Sequence, residues 1–81
     1  MPAVKVLFFA AARDLVGKSE ASAEITAEDL ATIKSEIMRQ FVELEQLKSP
    51  YTLAVNDEYV EGAIKIKEGD VVAVIPPLSG G

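Results

Sequence analysis

The chain begins with a short run of alternating positions. From Ala3 to Ala10, Val4, Val6 and Phe8 fall on one side of an extended backbone and Lys5, Leu7 and Phe9 on the other. Its β-branched and aromatic residues predict a strand, with Lys5 as the single interrupting charge. Both sides are largely apolar. That suits a strand in the middle of a sheet, or one with a face that awaits a partner.

The period changes after this strand. Ala11 to Val16 predicts a short helical turn stopped by Gly17, Lys18 to Ala21 a turn, and Ser22 to Thr26 a second strand that pairs with the first as a hairpin. Leu30, Ile33, Ile37, Met38 and Phe41 then recur at spacings of three and four, the stripe of an amphipathic helix. Thr26 is its expected N-cap, with Asp29 as the acid of a capping box. Met38 and Phe41 are expected to fill core, and Glu28, Lys34, Glu36 and Arg39 to form the solvated face.

The second half returns to strands. Glu43 to Pro50 reads as a connection, because Ser49-Pro50 disfavours continued helix. Tyr51 to Val55 predicts a strand with Leu53 and Val55 on one side and Thr52 and Ala54 on the other. Asn56-Asp57 supplies a turn, and Glu58 to Val60 a short extended piece. Gly62 follows, and Ile64 and Ile66 are expected to be buried. Glu68-Gly69-Asp70 turns the chain into a last strand, Val71 to Ile75, which Pro76 and Pro77 stop because neither can donate to a ladder.

This order predicts an α+β fold of two layers, a mixed sheet with one main amphipathic helix across one face. It fits a ubiquitin-like β-grasp with the first and last strands as parallel neighbours. Val4, Val6, Phe8, Leu53, Val55, Val72 and Val74 would then pack under the helix. Leu7, Phe9, Ala54, Ala73 and Ile75 would form a small apolar patch on the other face. Residues 1–75 are expected to be one domain and residues 76–81 a flexible tail.

Composition narrows the chemistry. The 81 residues include no cysteine and no histidine, so thiolate metal sites, disulfides and the commonest general base are all unavailable. A net charge of -5 argues against a nucleic-acid ligand and for basic protein partners. No run approaches membrane-spanning length and the start does not read as a signal peptide, so a cytosolic protein without membrane association is expected. The acids Asp57, Glu58 and Glu61, or Glu43 and Glu45, lack the ladder and glycine of a calcium loop and are read as surface groups, so no metal site is expected. Gly17-Lys18-Ser19 looks like the end of a phosphate-binding loop, but Ala12 stands where that motif needs a glycine.

The last six residues, Pro76-Pro77-Leu78-Ser79-Gly80-Gly81, remain. Two prolines stiffen their root, and Gly80-Gly81 is thin enough to enter a channel that side chains would block. A carboxylate at Gly81, once activated as an acyl-adenylate and converted to a thiocarboxylate, would carry nucleophilic sulfur on that arm. A terminus without any such role is the competing reading.

Val4-Lys5-Val6-Leu7-Phe8-Phe9-Ala10, Arg13-Asp14-Leu15, and the ending from Glu68-Gly69-Asp70 through Pro76-Pro77 to Gly80-Gly81 together resemble the molybdopterin synthase small-subunit family, the MoaD family. The resemblance spans essentially the whole chain. It implies a β-grasp fold and a sulfur carrier in molybdenum cofactor biosynthesis. An activating enzyme of the ubiquitin-activating type would use ATP to adenylate Gly81, with no permanently bound cofactor, and a sulfur donor would complete the thiocarboxylate. The tail would then enter the large synthase subunit of a heterotetramer and convert cyclic pyranopterin monophosphate to molybdopterin. Carried over by position, Gly81 bears the sulfur, Gly80, Ser79 and Leu78 line the inserted tail with Pro77 and Pro76 behind them, and Phe9, Arg13, Leu7 and Ile75 match partner-contacting positions. A carrier for thiazole synthesis or tRNA thiolation, or a ubiquitin-like modifier, stays open as an alternative.

Overall fold

Val4, Val6 and Phe8, alternate residues of the first strand, are almost inaccessible to solvent, as are Leu53, Val72 and Val74. The computed structural model that shows this describes residues 3–26, 29–47, 51–60 and 63–76. Along the chain lie β1 (Ala3–Phe8), α1 (Ala10–Val16), β2 (Glu20–Glu24), α2 (Leu30–Gln40), a 3-10 helix (Val42–Gln46), β3 (Thr52–Val55), β4 (Glu58–Tyr59) and β5 (Val71–Ile75). The five strands form one sheet in the order β2-β1-β5-β3-β4. Only β1 and β5 run parallel, side by side at its centre. This is the ubiquitin-like β-grasp expected from the element order.

One face of the sheet packs on α2. Ile33 and Ile37 of the helix are fully buried with Val4, Val6, Phe8, Leu53, Val55, Val72 and Val74 in one cluster, and Met38 and Phe41 pack against it. The Phe41 ring meets the edge of Phe8 with centroids 5.0 Å apart and planes at 74°, the T-shaped geometry aromatic quadrupoles favour. Full burial of each such side chain is worth about 1.5–3 kcal/mol relative to exposure.

Several local expectations are corrected. The second strand starts at Glu20, not Ser22: Phe8 N–H donates to the Ser19 carbonyl at 2.9 Å, and Ala21 and Ala23 pair with Val6 and Val4. Alanine has weak strand propensity, so pairing with β1 rather than local preference sets this boundary. The N-cap of α2 is Asp29, whose Oδ1 accepts from Thr32 N–H at 2.9 Å. Thr26 instead serves Glu36. Its N–H donates to Glu36 Oε2 at 2.9 Å and its hydroxyl to Oε1 at 2.6 Å, and Glu36 is 6% exposed rather than on the solvated face. One turn on, Gln40 Nε2 donates to the Glu24 carbonyl at 2.9 Å while its Oε1 accepts from Glu24 N–H at 3.3 Å. The connection after α2 winds into the 3-10 helix, which buries Leu44. Ile66 is buried as expected, but Ile64 is only half-buried. Glu28, Gly62, Glu61 and Ser49-Pro50 lie outside the described residues.

A corner of hydrogen bonds sets the central register. Asn56 and Asp57, with φ of 51° and 70°, form the two-residue turn between β3 and β4, the conformation that favours Asn and Asp there. Asn56 Oδ1 accepts from Val71 N–H at 3.0 Å and its Nδ2 donates to Asp70 Oδ1 at 3.1 Å. Asp70 Oδ2 accepts from Lys67 N–H at 2.8 Å. Gly69, at φ 85°, donates its N–H to the Ala3 carbonyl at 2.9 Å. The starts of β1 and β5 are thereby tied together, which decides what their far ends bring side by side.

Candidate docking face and tail root

The face of the sheet turned away from α2 is read most directly from strand register, since cross-strand partners share a side. Glu20, Leu7, Ala73, Ala54 and Tyr59 form one row across all five strands. The row below is Ser22, Lys5 and Val71. Above it Ile75 stands opposite Thr52, and Phe9 N–H donates to the Val74 carbonyl at 3.3 Å. The centre of the face is therefore small and apolar, and its large apolar groups stand around it. Phe9 is 44% exposed and Tyr59 72%, while Leu7, Val71, Ala73 and Ile75 are half-buried and Ala54 is buried.

The predicted patch of Leu7, Phe9, Ala54, Ala73 and Ile75 is thus assembled on one face. Pro76, buried at the end of β5, marks where the chain leaves it. Arg13 is exposed on α1, and its N–H shares the Phe9 carbonyl with that of Ala12, at 3.4 and 3.0 Å. Pro77, Leu78, Ser79, Gly80 and Gly81 lie outside the described residues. Two large apolar or aromatic members of the face were absent from the sequence-based patch, Tyr59 and Val71. A two-residue turn at Asn56-Asp57 forces Glu58 opposite Val55 and Tyr59 opposite Ala54, so the turn signal could have found the tyrosine.

The rim is charged and weakly tied. Lys5 Nζ lies 3.4 Å from Glu20 Oε2 with both side chains about half exposed, a pairing that adds little stability in water. The groups whose acidity is displaced all serve the frame. Backbone N–H donation from Thr32 holds the Asp29 carboxyl below its ordinary range, and donation from Lys67 N–H and the Asn56 amide does the same for Asp70. Burial pushes the Tyr51 hydroxyl upward, beneath Lys34 Nζ, which sits 5.1 Å from the ring centroid. Among the described residues no three acids, histidines or cysteines are grouped to hold a metal ion, and no helix is long and apolar enough to cross a membrane. The face can exclude water from a partner's apolar surface.

Comparison with known proteins bears on what this face serves. The ThiS family model matches residues 6–81. The molybdopterin synthase sulfur carrier subunit of Caenorhabditis briggsae is 39% identical over 84 residues, covering 100% of both chains. Among solved structures, a putative molybdopterin converting factor, subunit 1, from Pyrococcus furiosus superposes with a TM-score of 0.78 at 29% identity, over 96% of this chain and 100% of that one. The protein-protein complex of subunits 1 and 2 of the molybdopterin-converting factor from Helicobacter pylori contains a chain similar to this one, with a TM-score of 0.62 at 28% identity over 98% and 99%.

Proposed function

The chain belongs to the ThiS family, and from that premise we propose that it is the sulfur carrier subunit of a molybdopterin synthase. The observation that carries the reading is the parallel pairing of β1 with β5. It sets Leu7 and Phe9 beside Ala73 and Ile75, at the point where Pro76 leads into Pro77-Leu78-Ser79-Gly80-Gly81. Full-length similarity to a molybdopterin synthase sulfur carrier subunit supports sulfur as the cargo.

In this reading the Gly81 carboxylate attacks the α-phosphorus of ATP in an activating enzyme and pyrophosphate leaves. Hydrosulfide supplied by a sulfur donor then displaces AMP from the acyl-adenylate, giving the thiocarboxylate. No side chain of the face takes part, in keeping with a chain that has neither histidine nor cysteine. The apolar face next docks on the large subunit, a partnership supported by the Helicobacter pylori complex, and the thin tip passes into its active site. There the thiocarboxylate sulfur bonds to a side-chain carbon of cyclic pyranopterin monophosphate as that carbon's bond to oxygen breaks, and water then hydrolyses the resulting thioester, leaving the sulfur on the substrate and Gly81 as a carboxylate. Two such deliveries complete one molybdopterin, which fits a heterotetramer of two large and two small subunits. The protein is then the sulfur-donating half of a sulfurtransferase working in the cytosol, and not an enzyme by itself.

The test is reconstitution. Thiocarboxylated protein incubated with cyclic pyranopterin monophosphate and the large subunit should form molybdopterin while its intact mass returns to that of the free acid. Product absent from an otherwise competent mixture would overturn the reading. Removing Gly81 should abolish loading and transfer without changing the melting temperature.

A further inference from the structure

Three described residues other than glycine have left-handed backbone: Ala10 at φ 50°, Asn56 at 51° and Asp57 at 70°. Asn56 and Asp57 occupy a hairpin turn that favours such residues. Ala10 has no comparable reason. Its Cβ crowds the following carbonyl in this conformation, and alanine has no polar side chain to offset the contact. A strained residue of this kind persists only where its surroundings hold it.

Those surroundings are on both sides of the junction between β1 and α1. Before it, Phe9 stands on the open face with its N–H on the Val74 carbonyl at 3.3 Å, and Phe8 is locked against Phe41. After it, Ala12 is fully buried in the core, and α1 ends with Gly17 N–H on the Arg13 carbonyl at 2.8 Å. Phe9 and Ala12 thus belong to opposite sides of the sheet with only Ala10 and Ala11 between them. The left-handed residue supplies the change of direction.

We propose that Ala10 is a positioning residue for docking: its left-handed backbone, not its methyl group, directs Phe9 across the root of the tail at Ile75 and Pro76. The proposal rests on the docking role given above to the open face. Affinity for the large subunit should therefore follow how readily each residue at position 10 adopts a left-handed backbone. Glycine does so freely, alanine under constraint and a β-branched residue hardly at all.

The experiment compares Ala10→Gly, Ala10→Val and Ala11→Val, the last adding the same bulk at the neighbouring exposed position where no positive φ is required. Binding to the purified large subunit of the molybdopterin synthase of the same organism is measured by calorimetry. Amide hydrogen exchange of Phe9 is followed in each variant by NMR. Ala10→Val should bind about tenfold or more weakly, whereas Ala10→Gly and Ala11→Val should stay within about twofold of the parent. The Phe9 amide should exchange about threefold more slowly in Ala10→Gly, because relief of strain closes the junction more tightly. That second readout stands even if Ala10→Val does not fold. Equal weakening by Gly and Val would assign the effect to the methyl group, and equal weakening by Ala11→Val would assign it to bulk. Unchanged or faster exchange in Ala10→Gly would remove the strain. Each of these results overturns the proposal. Parent protein that binds no large subunit overturns the functional reading instead, and the exchange measurement then decides the role of Ala10 by itself.

Discussion

Phe8 and Phe9 are neighbours in the chain with opposite surroundings, one 2% and the other 44% exposed. They stand for the two faces of the sheet. The covered face is a close-packed set of valines with Ala23, Leu53 and one phenylalanine, under the isoleucines of α2. The open face uses the alternate positions of the same strands, with alanines in the middle and larger groups around them. The difference shows how so small a domain keeps a closed core and an open apolar surface on the two sides of one sheet. Period-two alternation lets one strand serve both, so a substitution can touch one without the other.

The largest expected effect comes from attacking the covered face. Phe8→Ala removes a buried ring together with its contact to Phe41, and should lower folding stability by about 3–5 kcal/mol in urea denaturation. Against a typical total of about 5–15 kcal/mol this leaves a marginal protein. Next is the clip behind that face. Glu36→Ala deprives Thr26 of both its carboxylate partners and should cost about 2 kcal/mol, with the melting temperature as readout. On the open face, Phe9→Asp should keep stability within about 0.5 kcal/mol of the parent. The same change should weaken binding to the large subunit about tenfold, or ~1.4 kcal/mol. Equal stability losses for Phe8→Ala and Phe9→Asp would break the contrast between the faces.

The smallest effect is that of acid. Asp29 and Asp70 belong to the frame and not to either face, and both are held below the ordinary value of 3.8. A carboxyl with a depressed folded pKa contributes stability that is present above its unfolded value and is lost as pH falls through the folded one. The melting temperature should thus be insensitive to these groups at neutral pH and decline below pH 3.8. Replacing both by Asn should flatten that part of the decline, and an unaltered acid profile would place the sensitivity elsewhere.

Much of this contrast was legible in the sequence because it rests on alternation. Val4, Val6, Phe8, Val72 and Val74 face inward wherever the strand is placed, and their neighbours then face outward. What was not legible depended on contacts across the fold. Glu36 and Gln40 flank the apolar stripe of α2, and only the path of the chain leaving β2 decides that Thr26 and Glu24 reach them. Asp29 rather than Thr26 caps the helix because Thr26 is occupied by Glu36. The left-handed Ala10 has no local signal at all, since alanine ordinarily avoids that region. The candidate site divides in the same way. The patch could be read from alternation, Tyr59 required the register of β4, and the roles of the last five residues rest on sequence and likeness.

The strand order has a consequence for synthesis. β5 occupies the middle of the sheet although it is the last of the five described strands in chain order, and its neighbour β1 is the first. Until Val71–Ile75 has emerged, β1 and β3 have no common partner and the hydrophobic core cannot close. Folding therefore waits until β5 has been made and joins strands far apart in the chain, which is the slow topology among small domains. A nascent chain stopped before β5 would lack the strand that joins β1 to β3, and with it the centre of the open face.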